Sequence, residues 1–220
     1  MQTRRDMDVP GAAVLVTIFV ILAVNQVVIK LTNAGLQPVF AAGLRSAGAA
    51  LLLWGWMRLI GQRPDVSRAT LGAGLLAGAV FAVEFLALFL ALDLTTVSRA
   101  SVIFYSMPVW MALVAHFALP GERLTPVRLL GLALAFTGVA WAIIDRSGLG
   151  GDAALLGDLA ALVAALGWMG VSLAARLTAI SRQTPEMQIL WQVAVSAPLL
   201  LAAAPLFGPL IRDVTPATGW

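Results

Sequence analysis

Read from one end, the chain alternates long apolar runs with short polar, breaker-rich connections. Seven runs stand out: Gly11–Ile29, Val39–Met57, Leu71–Leu92, Ala100–Leu119, Leu129–Ile144, Leu159–Ala175 and Met187–Ile211. Most reach the ~20 residues that a helix needs to cross about 30 Å of hydrocarbon at 1.5 Å per residue. The fifth and sixth are shorter, and their flanking arginines can snorkel to make up the difference. Connections such as Gly61-Gln62-Arg63-Pro64-Asp65 and Pro120-Gly121-Glu122-Arg123 are too short to hold a soluble domain. They predict that consecutive helices are antiparallel neighbours. The pattern therefore predicts an all-α integral membrane protein of about seven transmembrane helices, because only helices and closed barrels satisfy their backbone in lipid.

Composition sharpens this. Of 220 residues, 60% are hydrophobic and 11% charged, and the mean hydropathy is +0.94. A water-facing shell needs more polar surface than that. There are no cysteines, so disulfides and thiolate metal sites are excluded, and the single histidine, His116, builds no imidazole site alone. No cofactor is expected. The basic pI near 10.5 comes from scattered single arginines rather than a patch, which argues against nucleic acid. The first run is longer than a signal-peptide core and lacks a small-residue cleavage pattern, so it is read as the first span.

Charge sets the orientation. Arg4, Arg5, Arg58, Arg63, Arg68, Arg123, Arg128, Arg176 and Arg182 fall on one side, against Lys30, Arg99, Arg146 and Arg212 on the other. The positive-inside rule makes the N-terminal tail, residues 1–10, cytoplasmic in an inner-membrane, multi-pass protein.

A weak internal repeat adds an architecture. VVIKL at 27–31 is followed by Pro38 and Arg45; LAARL at 173–177 is followed by Pro185 and Gln192. Five spans separate the two copies, so the second enters the membrane from the opposite side, as in inverted-repeat transporters.

Several segments carry a family resemblance. They are Asn25-Gln26-Val27-Val28-Ile29-Lys30, then Pro38 with Leu44-Arg45, then Leu94-Thr95-Thr96-Val97-Ser98-Arg99-Ala100. Tyr105-Ser106-Met107-Pro108, Pro120-Gly121-Glu122-Arg123-Leu124, Gly131 to Gly138 and Leu156-Gly157-Asp158 follow in order. Together they resemble the EamA type of the drug/metabolite transporter superfamily over nearly the whole chain. The resemblance implies ten helices in two inverted five-helix repeats and transport of a small metabolite. Residues 11–146 are then one five-helix repeat, and 147–220 a partial second repeat of two helices. On this reading the chain lacks about 69 residues, the polar tail Arg212–Trp220 leads toward an eighth helix, and residues 1–220 alone carry no flux. Self-association or the missing C-terminal helices would complete the wall.

Charges inside spans are costly and mark candidate sites. Arg45, about 10 Å below one surface, and Glu84, about 20 Å from the other, share one half of the bilayer with Lys30 and Arg99. Convergence of all four would suit an anionic ligand group. Lys30 can equally snorkel at the interface. Pro108 frees the Phe104 carbonyl and either kinks span four harmlessly or shapes a cavity beside Tyr105 and Trp110. Asn25, Gln26 and Gln192 can bond a ligand or a neighbouring helix, and His116 sits near an interface. Gly74 and Gly78 read as a close-packing pair. The candidate substrate-binding set is Arg45, Glu84, Gln26, Asn25, Tyr105, Trp110 and Gln192, with a small-molecule metabolite as partner and the lipid bilayer as solvent.

Other classes fare worse. A retinal-type seven-helix receptor needs a lysine deep in its last helix, and the one lysine is in the first. An intramembrane enzyme needs clustered catalytic groups, and none is present. No phosphate-binding GK[ST] loop supports a pump.

Overall fold

The computed structural model of the chain describes residues 9–118, 124–144 and 152–212. Their regular structure is all helical: α1 (Val9–Gly35), α2 (Pro38–Leu59), α3 (Arg68–Leu94), α4 (Val97–Phe104), α5 (Met107–Ala118), α6 (Pro126–Ile144), α7 (Asp152–Leu177) and α8 (Pro185–Ala203). Short 3-10 turns at Ala179–Arg182 and Ala204–Phe207 precede and follow α8. Six stretches are long and apolar enough to cross a membrane, with α4 and α5 together forming one of them. The apolar part of α6, Pro126–Trp141, is shorter, as its sequence predicted.

Local chemistry explains the helix ends. α2 and α8 both open on proline at the first turn, where the missing N–H costs nothing. Gln37 caps α2 by accepting from Phe40 N at 2.6 Å, and Thr184 caps α8 by accepting from Met187 N. After α2 the chain turns at Gly61 with φ +72°, a conformation that glycine adopts without cost.

Two predicted boundaries are corrected. The sixth span is not short: it runs as a helix from Asp152 to Leu177, so Asp158 lies inside it rather than opening it. The seventh does not reach Ile211, because Pro205 tightens the last turn to 3-10 geometry and Gly208 (φ +108°) turns the chain. Ile211 instead forms an isolated antiparallel bridge with Leu36. The tail from Asp213 onward, the N-terminal tail, and the loops holding Arg123 and Arg146 lie outside the described residues.

Glycine determines how closely the central helices approach. α3 packs most extensively against α7 and α8. Its Gly74 lies against the Trp191 ring, and its Gly78 against Val195 and the Trp191 carbonyl. From the other side, Gly167 of α7 brings its backbone against Glu84, where a Cβ would sit 2.9 Å from that of Glu84. With no hydrophobic drive between helices in lipid, such backbone proximity supplies the packing that holds the bundle. The core is completed by Phe89, Leu92, Ile103 and Leu200. α1 and α6 flank it, contributing Ile29 and Val139, with Val16, Phe19, Val20, Leu130, Leu134 and Trp141 turned outward, as lipid contact requires.

Candidate functional site

Five polar or aromatic positions lie in one layer about 10–15 Å beneath the end where α1 and α3 finish. On α2, the Arg45 guanidinium sits 4.7 Å from the centre of the Phe85 ring, a cation–π contact. It lines a small cavity of about 70 Å³ with Ser46, Ala49, Phe81, Phe85 and Val193. Glu84, next to Phe85 on α3, points a different way because successive helical residues diverge by about 100°. It faces α7 at Gly167 and is 3% exposed.

The Arg45 charge is near enough to act on Glu84, but among the described residues no ion-pair contact joins them. One carboxyl oxygen of Glu84, Oε2, is buried with no hydrogen-bond partner among the described residues. Such an oxygen carries a desolvation cost that a donor or a bound proton removes.

Across the layer, Gln26 of α1 is 2% exposed and donates to the Tyr105 hydroxyl at 3.4 Å, while its own Oε1 has no partner among the described residues. Tyr105 stands at the break between α4 and α5. Phe104 stacks on Trp168 of α7 (4.9 Å, 16°), and Tyr105 meets the same ring edge-on at 6.1 Å.

The break itself falls at Tyr105–Ser106, just before Pro108. Ser106 Oγ donates to the Ile103 carbonyl at 2.6 Å and accepts from Trp110 Nε1 at 3.0 Å. Trp110 also meets Phe136 of α6 edge-on, so it fastens the break rather than standing beside Tyr105 in a cavity. Asn25 and Gln192 are half-buried on α1 and α8. His116, near the far end of α5, ties that end to the segment before α6, its Nδ1 accepting from Leu124 N at 3.2 Å.

The four intramembrane charges separate into two groups. Lys30 and Arg99 do not join Arg45 and Glu84; they belong to a cluster at the end of the bundle. There Lys30 Nζ donates to the carbonyls of Asp93 and Thr95, both at 3.1 Å, capping α3 instead of reaching for headgroups. Arg99 makes a two-pronged pair with Asp158 of α7 (Nη2–Oδ2 2.5 Å, Nε–Oδ1 3.3 Å), and Thr95 Oγ1 adds a third bond at 3.3 Å. Arg212 pairs with Asp93 at 2.7 and 2.8 Å. Those bonds raise the Arg212 guanidinium above its ordinary value, so it stays a cation.

The comparisons with known proteins agree with this architecture. The profile of the EamA-like transporter family matches residues 9–144. The chain belongs to the EamA-like transporter family. One solved crystal structure shares the fold at a TM-score of 0.63 and 23% identity, covering 93% of this chain and 70% of that one. No curated protein matches the chain. An EamA-like protein is a multi-pass membrane transporter of a small molecule and not an enzyme.

Within this EamA-like chain, sequence reasoning missed Phe81, Phe85 and Trp168 as neighbours of the polar layer, and Asp93 and Asp158 as partners of the basic residues. Phe85 carried a signal in following Glu84 directly. Asp158 carried one as an acid in an apolar run, which demands a cation.

Proposed function

We propose that the protein is a secondary transporter that moves a small polar or amphipathic organic molecule by alternating access, with the Arg45–Glu84 layer as its binding site. The observation that carries this reading is Glu84 Oε2, buried and unpartnered beside the charge of Arg45. A bundle that leaves an acceptor unsatisfied at mid-depth and keeps a guanidinium over an aromatic face has the parts to hold an acidic group and a donor together. Arg45 binds the acidic group, Phe81 and Phe85 flank its apolar part, and Glu84 takes a donor or a proton. Gln26, Asn25, Tyr105 and Gln192 complete the polar lining, with Trp110 fixing the break.

The same reading treats residues 11–146 and 147–220 as inverted repeats. It is supported by α2 and α8, which open alike on proline and pack against each other. The basic residues Arg58, Arg63, Arg68, Arg128, Arg176 and Arg182 collect where α2 and α7 stop and α3, α6 and α8 begin, which favours that end as cytoplasmic in an inner membrane.

The test is ligand-induced thermal stabilisation of the purified protein across a panel of small carboxylates and amphipathic amines. At least one carboxylate should raise Tm, the shift should vanish in Arg45→Gln, and its pH dependence should flatten in Glu84→Gln. Equal stabilisation of the parent and Arg45→Gln would overturn the assignment.

A further inference from the structure

The end cluster has no place in substrate binding, yet it holds most of the described charge pairs. Its two ion pairs each cross between early and late parts of the chain. Arg99 of α4 meets Asp158 of α7, and Asp93 of α3 meets Arg212 beyond α8. Around them the turn between α1 and α2 is tied to the segment after α8. Leu36 bridges Ile211, Gln37 N donates to the Leu210 carbonyl at 3.0 Å, and Arg212 N donates to the Gly35 carbonyl at 3.0 Å. Arg212 Nη1 adds a bond to the Asn33 carbonyl at 3.0 Å. Lys30 pins the α3–α4 turn between the two pairs. Gly157 makes the approach possible, since a Cβ there would sit 2.9 Å from that of Thr95.

The opposite end is fastened differently. There Gln183 donates to the Asp65 carbonyl at 2.9 Å and to its carboxylate at 3.3 Å, and accepts from Trp191 Nε1 at 3.0 Å.

We propose that Arg99–Asp158 and Asp93–Arg212 are the two latches of a gate that closes the Lys30 end of the transport path. The proposal rests on the alternating-access reading. The polar layer lies about 6–14 Å beneath the cluster, so the clasp stands between it and the water on that side. The depth suits reversible use. The side chains of Arg212 and Asp93 are 36% and 20% exposed, so water can solvate both charges as they separate. Arg99, 15% exposed, is the hydrated partner of an Asp158 that is almost fully buried, which makes this latch the tighter of the two.

The chain has no cysteine, so a single Ala49→Cys, placed in the cavity lined by Arg45, reports access to the layer. Its labelling by a membrane-impermeant cationic methanethiosulfonate is measured from each face in right-side-out and inside-out vesicles. Adding Asp93→Asn with Asp158→Asn should speed labelling from the Lys30 face roughly tenfold, equivalent to about 1.4 kcal/mol, with no such gain from the other face.

Exchanging the charges (Arg99→Asp with Asp158→Arg, and Asp93→Arg with Arg212→Asp) should return labelling to the parental rate. Unchanged labelling, equal gains from both faces, or charge exchange that stays fast would each overturn the gate. A second measurement leaves the charges intact. Leu36→Cys with Ile211→Cys spans an antiparallel bridge whose Cα separation suits a disulfide. Once oxidation has bridged that pair, Ala49→Cys is the free thiol, and its labelling from the Lys30 face should be severalfold slower than in the single Ala49→Cys protein; an equal rate would also overturn the gate. Labelling reports opening whether or not flux is seen. A gate that operates in a chain no carboxylate stabilises counts against the binding-site reading, and carboxylate stabilisation with an inert clasp counts against the gate.

Discussion

Replacing Gly78 by alanine adds one methyl group at a crowded backbone contact between α3 and α8. The new Cβ would overlap Val195 Cβ and lie 2.7 Å from the Trp191 carbonyl oxygen and 2.8 Å from Val195 Cγ1. Comfortable contact begins near 3.5 Å, so relief demands a shift of nearly 1 Å. The carbonyl belongs to the backbone of α8, so no rotamer change provides it. α3 cannot retreat either, because α7 meets its opposite side at Gly167.

Overpacking of this kind costs about 1–3 kcal/mol, and alanine's better helix propensity returns up to about 1 kcal/mol. The net loss is about 0–2 kcal/mol against the parent and about 1–3 kcal/mol against a replacement that gains propensity alone, the latter worth about 2–12 °C in Tm for a chain of this size. Gly131 of α6 supplies the contrast, since nothing lies within 4 Å of a Cβ built there. Gly131→Ala keeps the propensity gain without the overlap, so its Tm should equal or exceed the parent's. Thermal unfolding of both purified variants, followed by tryptophan fluorescence, decides the matter. A Gly78→Ala protein as stable as Gly131→Ala would refute the claim that glycine contact holds this bundle.

Two further outcomes follow from the ion pairs and the helix break. Arg99→Met leaves Asp158, 1% exposed, with Thr95 alone, and should cost about 3–5 kcal/mol; Arg212→Met breaks a more exposed pair and should cost no more than about 1 kcal/mol. Ser106→Ala removes both bonds at the break and strands the Trp110 indole N–H, for about 1–3 kcal/mol, whereas Pro108→Ala, in the first turn of α5, should change stability by less; thermal unfolding of all four variants ranks them.

The spans were legible because an apolar run of membrane length has one favourable fate, and the Gly74–Gly78 spacing announced a close contact. Charge made the errors. Asp158 was read as the start of a span because an acid in an apolar run looks like a boundary until its cation is known, and that cation lies 59 residues earlier. For the same reason Lys30, Arg45, Glu84 and Arg99 were grouped by depth alone. Depth follows from counting residues, but facing does not: Glu84 turns to α7 while its neighbour Phe85 turns to Arg45. Of the candidate set, Gln26 with Tyr105 and Arg45 with Glu84 are brought near each other. Trp110 proves to be part of the break, and the aromatic surround of the layer required the packing of α7.

The clasp also sets an order of assembly. Arg99 enters the membrane region 59 residues before Asp158 exists, and Asp93 precedes Arg212 by 119. At about 5–20 residues per second of synthesis, the two charges wait roughly 3–12 s and 6–24 s for their partners. During that interval α3 and α4 carry an acid and a guanidinium ahead of these two partners. The bundle therefore cannot be finished helix by helix from its N-terminus. Its Lys30 end closes only once the segment that follows α8 has emerged.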